Sequence, residues 1–311
     1  MIAVFVLMLH SSTGQNVARS WRDAVIDPAA RQSLERFCMR LADTERASIA
    51  VLDLGDMTIA AMSGADGLAR VKRLPGSVFK IVTSLAALTS GTRLPDPFLC
   101  TGVVVLHGRE IRCWLPSGHG ELTFEAAFAN SCNCYFAALG DQIGGAALLR
   151  TAEKLGFGRK TMFDVPGESP GTLPRALEAT EVPLFAIGQH PACRVTGLQL
   201  LQVSSLFARD AGFSNSLSRS ARPLKVLRDL MRGVVRSGTG RKGDVHGFPV
   251  AGKSGTIARE IPWKYDGWFT CFAPFDDPKV AVVVFAREGS GSDRAAPVAG
   301  KVMQYLSRIV Q

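Results

Sequence analysis

Ser77 and Lys80 stand three residues apart in Leu74-Pro75-Gly76-Ser77-Val78-Phe79-Lys80. Apolar Ile81, Val82, Leu85, Ala86 and Leu88 follow at helical spacing, and Gly91 is a natural stop. Side chains three apart on a helix share a face, with β-carbons about 5–6 Å apart. A hydroxyl and an amine held that close are the parts of a nucleophile and its base. The helix N-terminus adds partial positive charge and free N–H groups beneath the hydroxyl, which favour an oxyanion there. Ser-x-x-Lys arises by chance about once in a chain with this many serines. Ser77 is the one serine here that has it, so the pair needs support from elsewhere.

Two further clusters supply it. Ser131-Cys132-Asn133 interrupts a helical pattern with polar residues that suit a cap. Lys253-Ser254-Gly255-Thr256 lies in a predicted strand, where an internal glycine marks close approach of another backbone or a ligand. Ser-x-x-Lys, Ser-x-Asn and Lys-Ser-Gly each occur once, in that order. Each falls in the element type required by the joint signature of serine β-lactamases and penicillin-binding proteins.

The elements that must position these groups are legible in outline. Residues 15–44 form an amphipathic helical pattern with Trp21, Val25, Leu34, Phe37 and Leu41 on its apolar face. Ala47 to Leu54 and Met57 to Met62 make a hairpin about Gly55-Asp56. From about Ala86 to Gly243 the chain reads as mostly helical, with helices expected at Thr123–Asn130, after Asn133, at Ala146–Leu155, Thr196–Ala211 and Pro223–Arg236. Strands return at Pro249–Ile257, Gly267–Phe275 and Lys279–Ala286, and a last helix covers Ala295–Val310. The order implies an α+β fold: an antiparallel five-stranded sheet flanked by helices, and a helical lobe beside it. We therefore expect an N-terminal leader or helical segment at 1–44 and a domain at 45–311. Its sheet lobe takes 45–85 and 246–311, and its all-helical lobe takes 86–245.

Composition bounds the partners. The 311 residues are 47% apolar and 20% charged, as in a globular protein. The net charge of +9 suits an acidic partner. The densest basic runs, Arg70-Val71-Lys72-Arg73 and Arg241-Lys242, carry no interleaved aromatics, so no nucleic acid is expected. Seven cysteines leave at least one unpaired in any monomer. There is no C-x-x-C, and Cys132-x-Cys134 is too close for a zinc knuckle, so neither metal nor cofactor is expected. Cys100 and Cys113 flank a short apolar segment; a disulfide in an oxidising compartment and buried free thiols are both open. The apolar run Ile2 to Leu9 is too short to span a bilayer and lacks a basic flank and a clear cleavage site, which leaves the export signal open.

Over about residues 45–311 the chain resembles the transpeptidase domain of the penicillin-binding proteins. Pro75-Gly76-Ser77-Val78-Phe79-Lys80 resembles that family's PGSTFK, and Ser131-Cys132-Asn133-Cys134-Tyr135-Phe136 its S-x-N-x-x-F. Cys100 to Trp114 with Gly118-His119-Gly120, Leu155-Gly156-Phe157-Gly158, Gly167-Glu168 and Gly171-Thr172-Leu173-Pro174 continue the likeness. Ala251 to Thr256 and Gly267-Trp268-Phe269 to Ala273-Pro274 complete it. It departs at Gly188-Gln189-His190, where the family has Gly-Gln-Gly, and at Thr196-Gly197, where it has Thr-Pro.

The resemblance implies a β-lactamase/transpeptidase-like fold and a D,D-transpeptidase that cross-links peptidoglycan stem peptides through an acyl-enzyme. It assigns the attack to Ser77 and proton acceptance to Lys80, whose pKa burial or nearby positive charge should lower. Ser131 would hand a proton to the leaving D-alanine. Asn133 would hold the substrate amide and Lys80. Lys253, with Ser254 and Thr256, would receive the substrate carboxylate beside Gly255. The N–H groups of Ser77 and Thr256 would form the oxyanion hole. β-Lactams are implied as covalent inhibitors, cell-wall synthesis proteins as possible partners, and the periplasmic or extracytoplasmic face of the membrane as the location.

Rival readings share the site or compete with it. Water as acceptor makes a D,D-carboxypeptidase or a β-lactamase, and an acyl group that never leaves makes a β-lactam receptor. A class A lactamase needs a Glu that positions water, and Glu168 lies in a linker-like segment without that role. Gly247 to Ser254 also fits the P-loop pattern, but polar residues precede it, no helix is expected after it, and Pro249 removes an N–H. H-E-x-x-H is absent. His119, between glycines, reads as a loop residue, and Trp268 as core or cleft wall.

Overall fold

The computed structural model describes residues 24–208, 222–259 and 264–310. Helix α1 (Pro28–Glu45) starts where the Asp27 carboxylate accepts the Ala30 N–H at 2.9 Å and ends at left-handed Arg46. Strands β1 (Ala47–Asp53) and β2 (Ile59–Ser63) form the expected hairpin. A short helix α2 (Ala65–Ala69) and a 3₁₀ turn (Gly76–Phe79) lead into α3 (Lys80–Ser90), which Gly91 closes at φ 71°.

Four short strands follow: β3 (Phe98–Cys100), β4 (Val103–Leu106), β5 (Arg109–Arg112) and β6 (Gly120–Leu122). Helices α4 (Phe124–Ala129), α5 (Asn133–Ile143), α6 (Gly145–Lys154), α7 (Val182–Ala186), α8 (Gly197–Ala208) and α9 (Arg222–Ser237) come next. Strands β7 (Ala251–Ala258), β8 (Tyr265–Ala273) and β9 (Val280–Ala286) precede a π-helical turn (Gly291–Ala295) and α10 (Ala296–Leu306).

β9 shows why the sheet has two covered faces. All seven of its residues are buried. Ala281, Val283 and Phe285 enter the core shared with α3 and α8, whereas Val280, Val282, Val284 and Ala286 enter the core shared with α1 and α10. A strand's alternate residues face opposite ways, so an unbroken apolar run serves both layers. The sheet order is β2-β1-β9-β8-β7, antiparallel throughout, with first and last parts of the chain pairing at β1 and β9. β7 is an edge strand. Its outer side meets the 3₁₀ turn, and α9 packs against it.

The α+β class and the five-stranded sheet match expectation. Three details differ. The lobe expected to be all-helical carries two two-stranded sheets, β3–β6 and β4–β5. Their strands are three or four residues long, too short for alternation to show in sequence. The helix expected over 15–44 is seen from Pro28, and its earlier part, with Trp21 and the run Ile2–Leu9, lies outside the described residues. The helix expected to reach Ala211 is described to Ala208. Among the described residues no helix is long and apolar enough to cross a membrane.

Candidate active site

Ser77 lies in the 3₁₀ turn, not in the α-helix itself. In a 3₁₀ turn residues i and i+3 eclipse each other. That brings Lys80 Nζ to 3.1 Å from Ser77 Oγ. α3 is buried almost all round, from Lys80 to Ala87, so its first residue carries an amine into the interior. Nζ is met there by oxygen: the Ser131 carbonyl at 2.6 Å, Ser131 Oγ at 3.2 Å and Asn133 Oδ1 at 2.8 Å. The Phe136 ring lies 5.6 Å from Nζ.

The break between α4 and α5 makes this cage. Ser131 has φ 57°, a left-handed conformation that non-glycine residues seldom adopt. Cys132 is the N-cap of α5 and Asn133 its first residue. The turn thus points a carbonyl, a hydroxyl and an amide at one amine. Asn133 Nδ2 donates to the Arg112 carbonyl at 3.1 Å, which fixes the amide's orientation. Non-glycine backbone strain of this kind clusters at functional sites.

Lys253 comes from β7 and is also fully buried. Its Nζ donates to Ser131 Oγ at 2.9 Å and to the Ser254 carbonyl at 3.1 Å, with the Phe128 ring 5.5 Å away. Ser77 Oγ, Lys80 Nζ, Ser131 Oγ and Lys253 Nζ therefore form one continuous hydrogen-bonded chain. Burial pushes Lys80 down to about 8. Burial, then the charge of Lys80, pushes Lys253 well below the ordinary lysine range.

Two glycines let β7 lie against the Ser77 turn. A β-carbon on Gly76, which has φ 54°, would stand 2.8 Å from the Thr256 carbonyl oxygen; one on Gly255 would stand 2.9 Å from that of Pro75. The glycine in the predicted strand does mark a close backbone approach. Ser77, Ser131, Asn133, Ser254, Gly255 and Thr256 line one cleft of about 440 Å³. Lys80 and Lys253 lie beneath its floor. Every residue nominated for the site thus falls in one place. Thr256 Oγ1 accepts the Gly291 N–H at 3.1 Å, and Ser254 Oγ is 2.6 Å from Thr239 Oγ1.

Sequence reasoning did not nominate several cleft residues. Thr239, Tyr265, Ser290, Ser292 and Asp293 line it from loops, a strand end and the π-helical turn, and Trp114 forms a 56%-exposed wall. They carry no local motif, so only the fold brings them in. Gln189, beside the departure at His190, also lines the cleft, and its Nε2 donates to the Thr256 carbonyl at 3.5 Å. His190 is buried and faces Glu181 at 3.4 Å.

The P-loop reading fails on geometry: β7 follows Pro249 as a strand, and Lys253 donates to Ser131. Trp268 is core, its Nε1 donating to the Leu74 carbonyl at 3.1 Å. Glu168 is spent on the N–H and hydroxyl of Thr161, both at 3.0 Å, and does not line the cleft.

All seven cysteines are free and buried, Cys100 and Cys113 included. Cys100, Cys113 and Cys132 gather with His119 immediately behind the Ser131 turn. This group contains no short-spaced ligand pair, because its members come from three separate segments of the chain.

A family model described as "Penicillin binding protein transpeptidase domain" matches residues 47–304. The chain is 31% identical over 270 residues to stage V sporulation protein D of Bacillus subtilis, covering 74% of this chain and 41% of that protein. It is 28% identical over 285 residues to peptidoglycan D,D-transpeptidase MrdA of Acinetobacter baumannii, covering 74% and 42%. The chain thus spans about two-fifths of the length of these curated relatives. Among solved structures, Pseudomonas aeruginosa PBP2 in complex with WCK 5153 superposes with a TM-score of 0.78 at 24% identity, over 91% of this chain and 75% of that one. The ampicillin complex of penicillin-binding protein 3 from Mycobacterium tuberculosis does so with 0.77 at 21%, over 91% and 76%.

Proposed function

This chain belongs to the penicillin-binding protein transpeptidase family, and we propose that it acts as an active-site-serine D,D-transpeptidase on peptidoglycan stem peptides. The observation that carries the reading is the single hydroxyl of Ser131 shared by two buried lysines, one of them 3.1 Å from Ser77 Oγ.

The chain of hydrogen bonds supplies a base without a carboxylate or histidine. Lys80 passes a proton through Ser131 to Lys253 and takes the proton of Ser77 in its place. Ser77 Oγ attacks the carbonyl between two D-alanines, and the N–H groups of Ser77 and Thr256 receive the oxyanion, each worth about 2.7–4 kcal/mol. Lys253, now charged, faces the substrate carboxylate with Ser254 and Thr256. The C–N bond breaks as Ser131 gives a proton to the leaving amine. An amine of a neighbouring strand then attacks the ester carbonyl, and its proton returns to Ser77. Asn133 holds the substrate amide and the position of Lys80.

β-Lactams acylate Ser77 by the same steps, since their ring carbonyl mimics the scissile bond. The unit we assign to this chemistry is 45–311, with sheet lobe 45–85 and 246–311 and helical lobe 86–245. α1 packs on the sheet as an N-terminal addition. Peptidoglycan as substrate places the domain on the extracytoplasmic side of the membrane, where other cell-wall synthesis proteins are its natural partners.

The test mixes the protein with labelled penicillin and follows the adduct by intact-protein mass spectrometry. A persistent adduct mapped to Ser77 supports the reading, and rapid release identifies a β-lactamase. A stem pentapeptide with a glycine acceptor then separates amine transfer from hydrolysis, the carboxypeptidase outcome. Absence of any adduct overturns the assignment.

A further inference from the structure

Building on the transpeptidase reading, we propose that a hollow opening off the catalytic cleft past Trp114 and Thr239 is the acceptor subsite, where the Arg241 guanidinium receives a carboxylate of the incoming strand.

The hollow encloses about 320 Å³ and shares four lining residues with the cleft: Trp114, Thr239, Ser292 and Asp293. Its walls are fixed. Trp114 Nε1 donates to the Asn130 carbonyl at 2.9 Å, one residue before Ser131. The Thr239 N–H donates to the Ala129 carbonyl at 3.1 Å, and a β-carbon on Gly238 would collide with that same carbonyl. The loop after α9 thus lies flat against the end of α4. An anchored indole and a stretch of backbone separate the two chambers.

The chemistry gives the direction. On the proposed function the leaving D-alanine carries its carboxylate beside Ser254, and Ser254 Oγ lies 2.6 Å from Thr239 Oγ1. Thr239 is a wall of both chambers, so the leaving group departs beside the hollow. Attack by the acceptor reverses that departure. A new N–C bond forms where one broke, the bond from the carbonyl carbon to Ser77 Oγ breaks, and one amine proton returns to that oxygen. The new amine must therefore stand where the old one stood. The strand behind it continues into the hollow.

The charges there are unequally matched. Lys242, in a 3₁₀ turn (Arg241–Gly243), pairs with Asp293 at 2.9 Å. Asp293 also accepts the Ser290 hydroxyl at 2.8 Å, and Lys242 and Ser290 together hold its carboxyl below the usual carboxylate range. Lys242 and Asp293 thus offset each other. Arg241 beside them is exposed and has no carboxylate partner among the described residues. Its planar fork fits a carboxylate with two parallel bonds. Stem peptides bring carboxylates behind their amines, so the one unmatched cation of the hollow meets the acceptor's own charge.

The experiment uses the full chain and a D-alanyl thioester donor, which acylates Ser77 and releases a thiol. Two acceptors compete with water for the acyl-enzyme: N-acetyl-L-alanyl-γ-D-glutamyl-meso-diaminopimelate, and the same peptide with its carboxylates amidated. Thiol release reads acylation. The ratio of transfer product to hydrolysis product reads the acceptor alone. Arg241→Gln should lower that ratio about five- to tenfold with the acidic peptide and about twofold or less with the amidated one. Arg241→Lys should recover part of the loss. Equal losses with both peptides, or none with either, overturn the subsite and leave the transpeptidase reading standing. A loss confined to thiol release puts Arg241 on the donor side and also overturns it. Hydrolysis alone in the native chain, with no transfer to either peptide, overturns the transpeptidase reading and the subsite with it.

Discussion

Two buried charged centres differ in how they are compensated. At the end of β1 the Asp53 carboxylate is fully enclosed and receives the N–H groups of Val25, Ile26 and Gly55 at 3.1, 2.9 and 2.8 Å. Arg31 adds an ion pair at 2.9 Å and reaches on to Asp56. Lys80 and Lys253 are as deeply buried, yet among the described residues neither pairs with a carboxylate. Their partners are neutral oxygens and aromatic faces. A buried charge without a counter-ion is costly. Asp53 therefore reads as a structural clasp. On the proposed function, the lysine pair is a positive centre that meets the substrate's carboxylate and the charge that develops on attack.

That contrast is broken most sharply at Ser77. Ser77→Ala should abolish the covalent penicillin adduct and leave the melting temperature nearly unchanged, since Ser77 lines the cleft and supports little packing. An adduct that survives would move the nucleophile elsewhere. Lys80→Met comes next: acylation should slow by about 10²–10⁴-fold or more, the usual range for a positioned base. Stopped-flow acylation with a chromogenic cephalosporin reads this, and an unchanged rate would remove Lys80 from the relay. The clasp should respond the other way. Asp53→Ala leaves three N–H groups without their acceptor and Arg31 with Asp56 as its remaining carboxylate, and should cost about 3–5 kcal/mol of stability. The acylation rate of the molecules still folded should hold. Calorimetry beside acylation kinetics tests both halves, and a stable variant would deny Asp53 its structural part.

The same contrast explains what the sequence disclosed. Ser77, Lys80, Ser131, Asn133 and Lys253 were legible because each sits in a short motif on a recognisable element, and the all-buried β9 could be read as a strand from its apolar run. Asp53 and Arg31 were not legible: their bond joins the end of β1 to the start of α1, 22 residues away, with no fixed spacing behind it. The small strands β3 to β6 escaped notice because three or four residues show no period. The cysteine–histidine group escaped for a related reason, since convergence of Cys100, Cys113, His119 and Cys132 depends on those same unread strands. Position 131 shows the limit from the other side. Its residue type was legible, but the left-handed backbone that aims its carbonyl at Lys80 was not.

The mildest test turns on protons. The relay proposed above requires one proton on the lysine pair: Lys253 neutral, to accept, and Lys80 charged, to pass its proton on. As pH falls, Lys253 becomes protonated, Ser77 has no route for its proton, and the rate should fall up to about tenfold per unit. Burial and the charge of Lys80 put that limb well below the ordinary lysine range. As pH rises through about 8, Lys80 loses its own proton. The pair then offers the substrate carboxylate no positive charge, and acylation efficiency should fall again. The expected pH profile of kcat/KM for the penicillin reaction is therefore a bell, with its upper limb near 8. Lys253→Met should remove the lower limb while slowing the reaction at its optimum. A profile that climbs without a maximum to pH 10 would mean that Lys80 works alone as a neutral base, and the two lysines would no longer act as one centre.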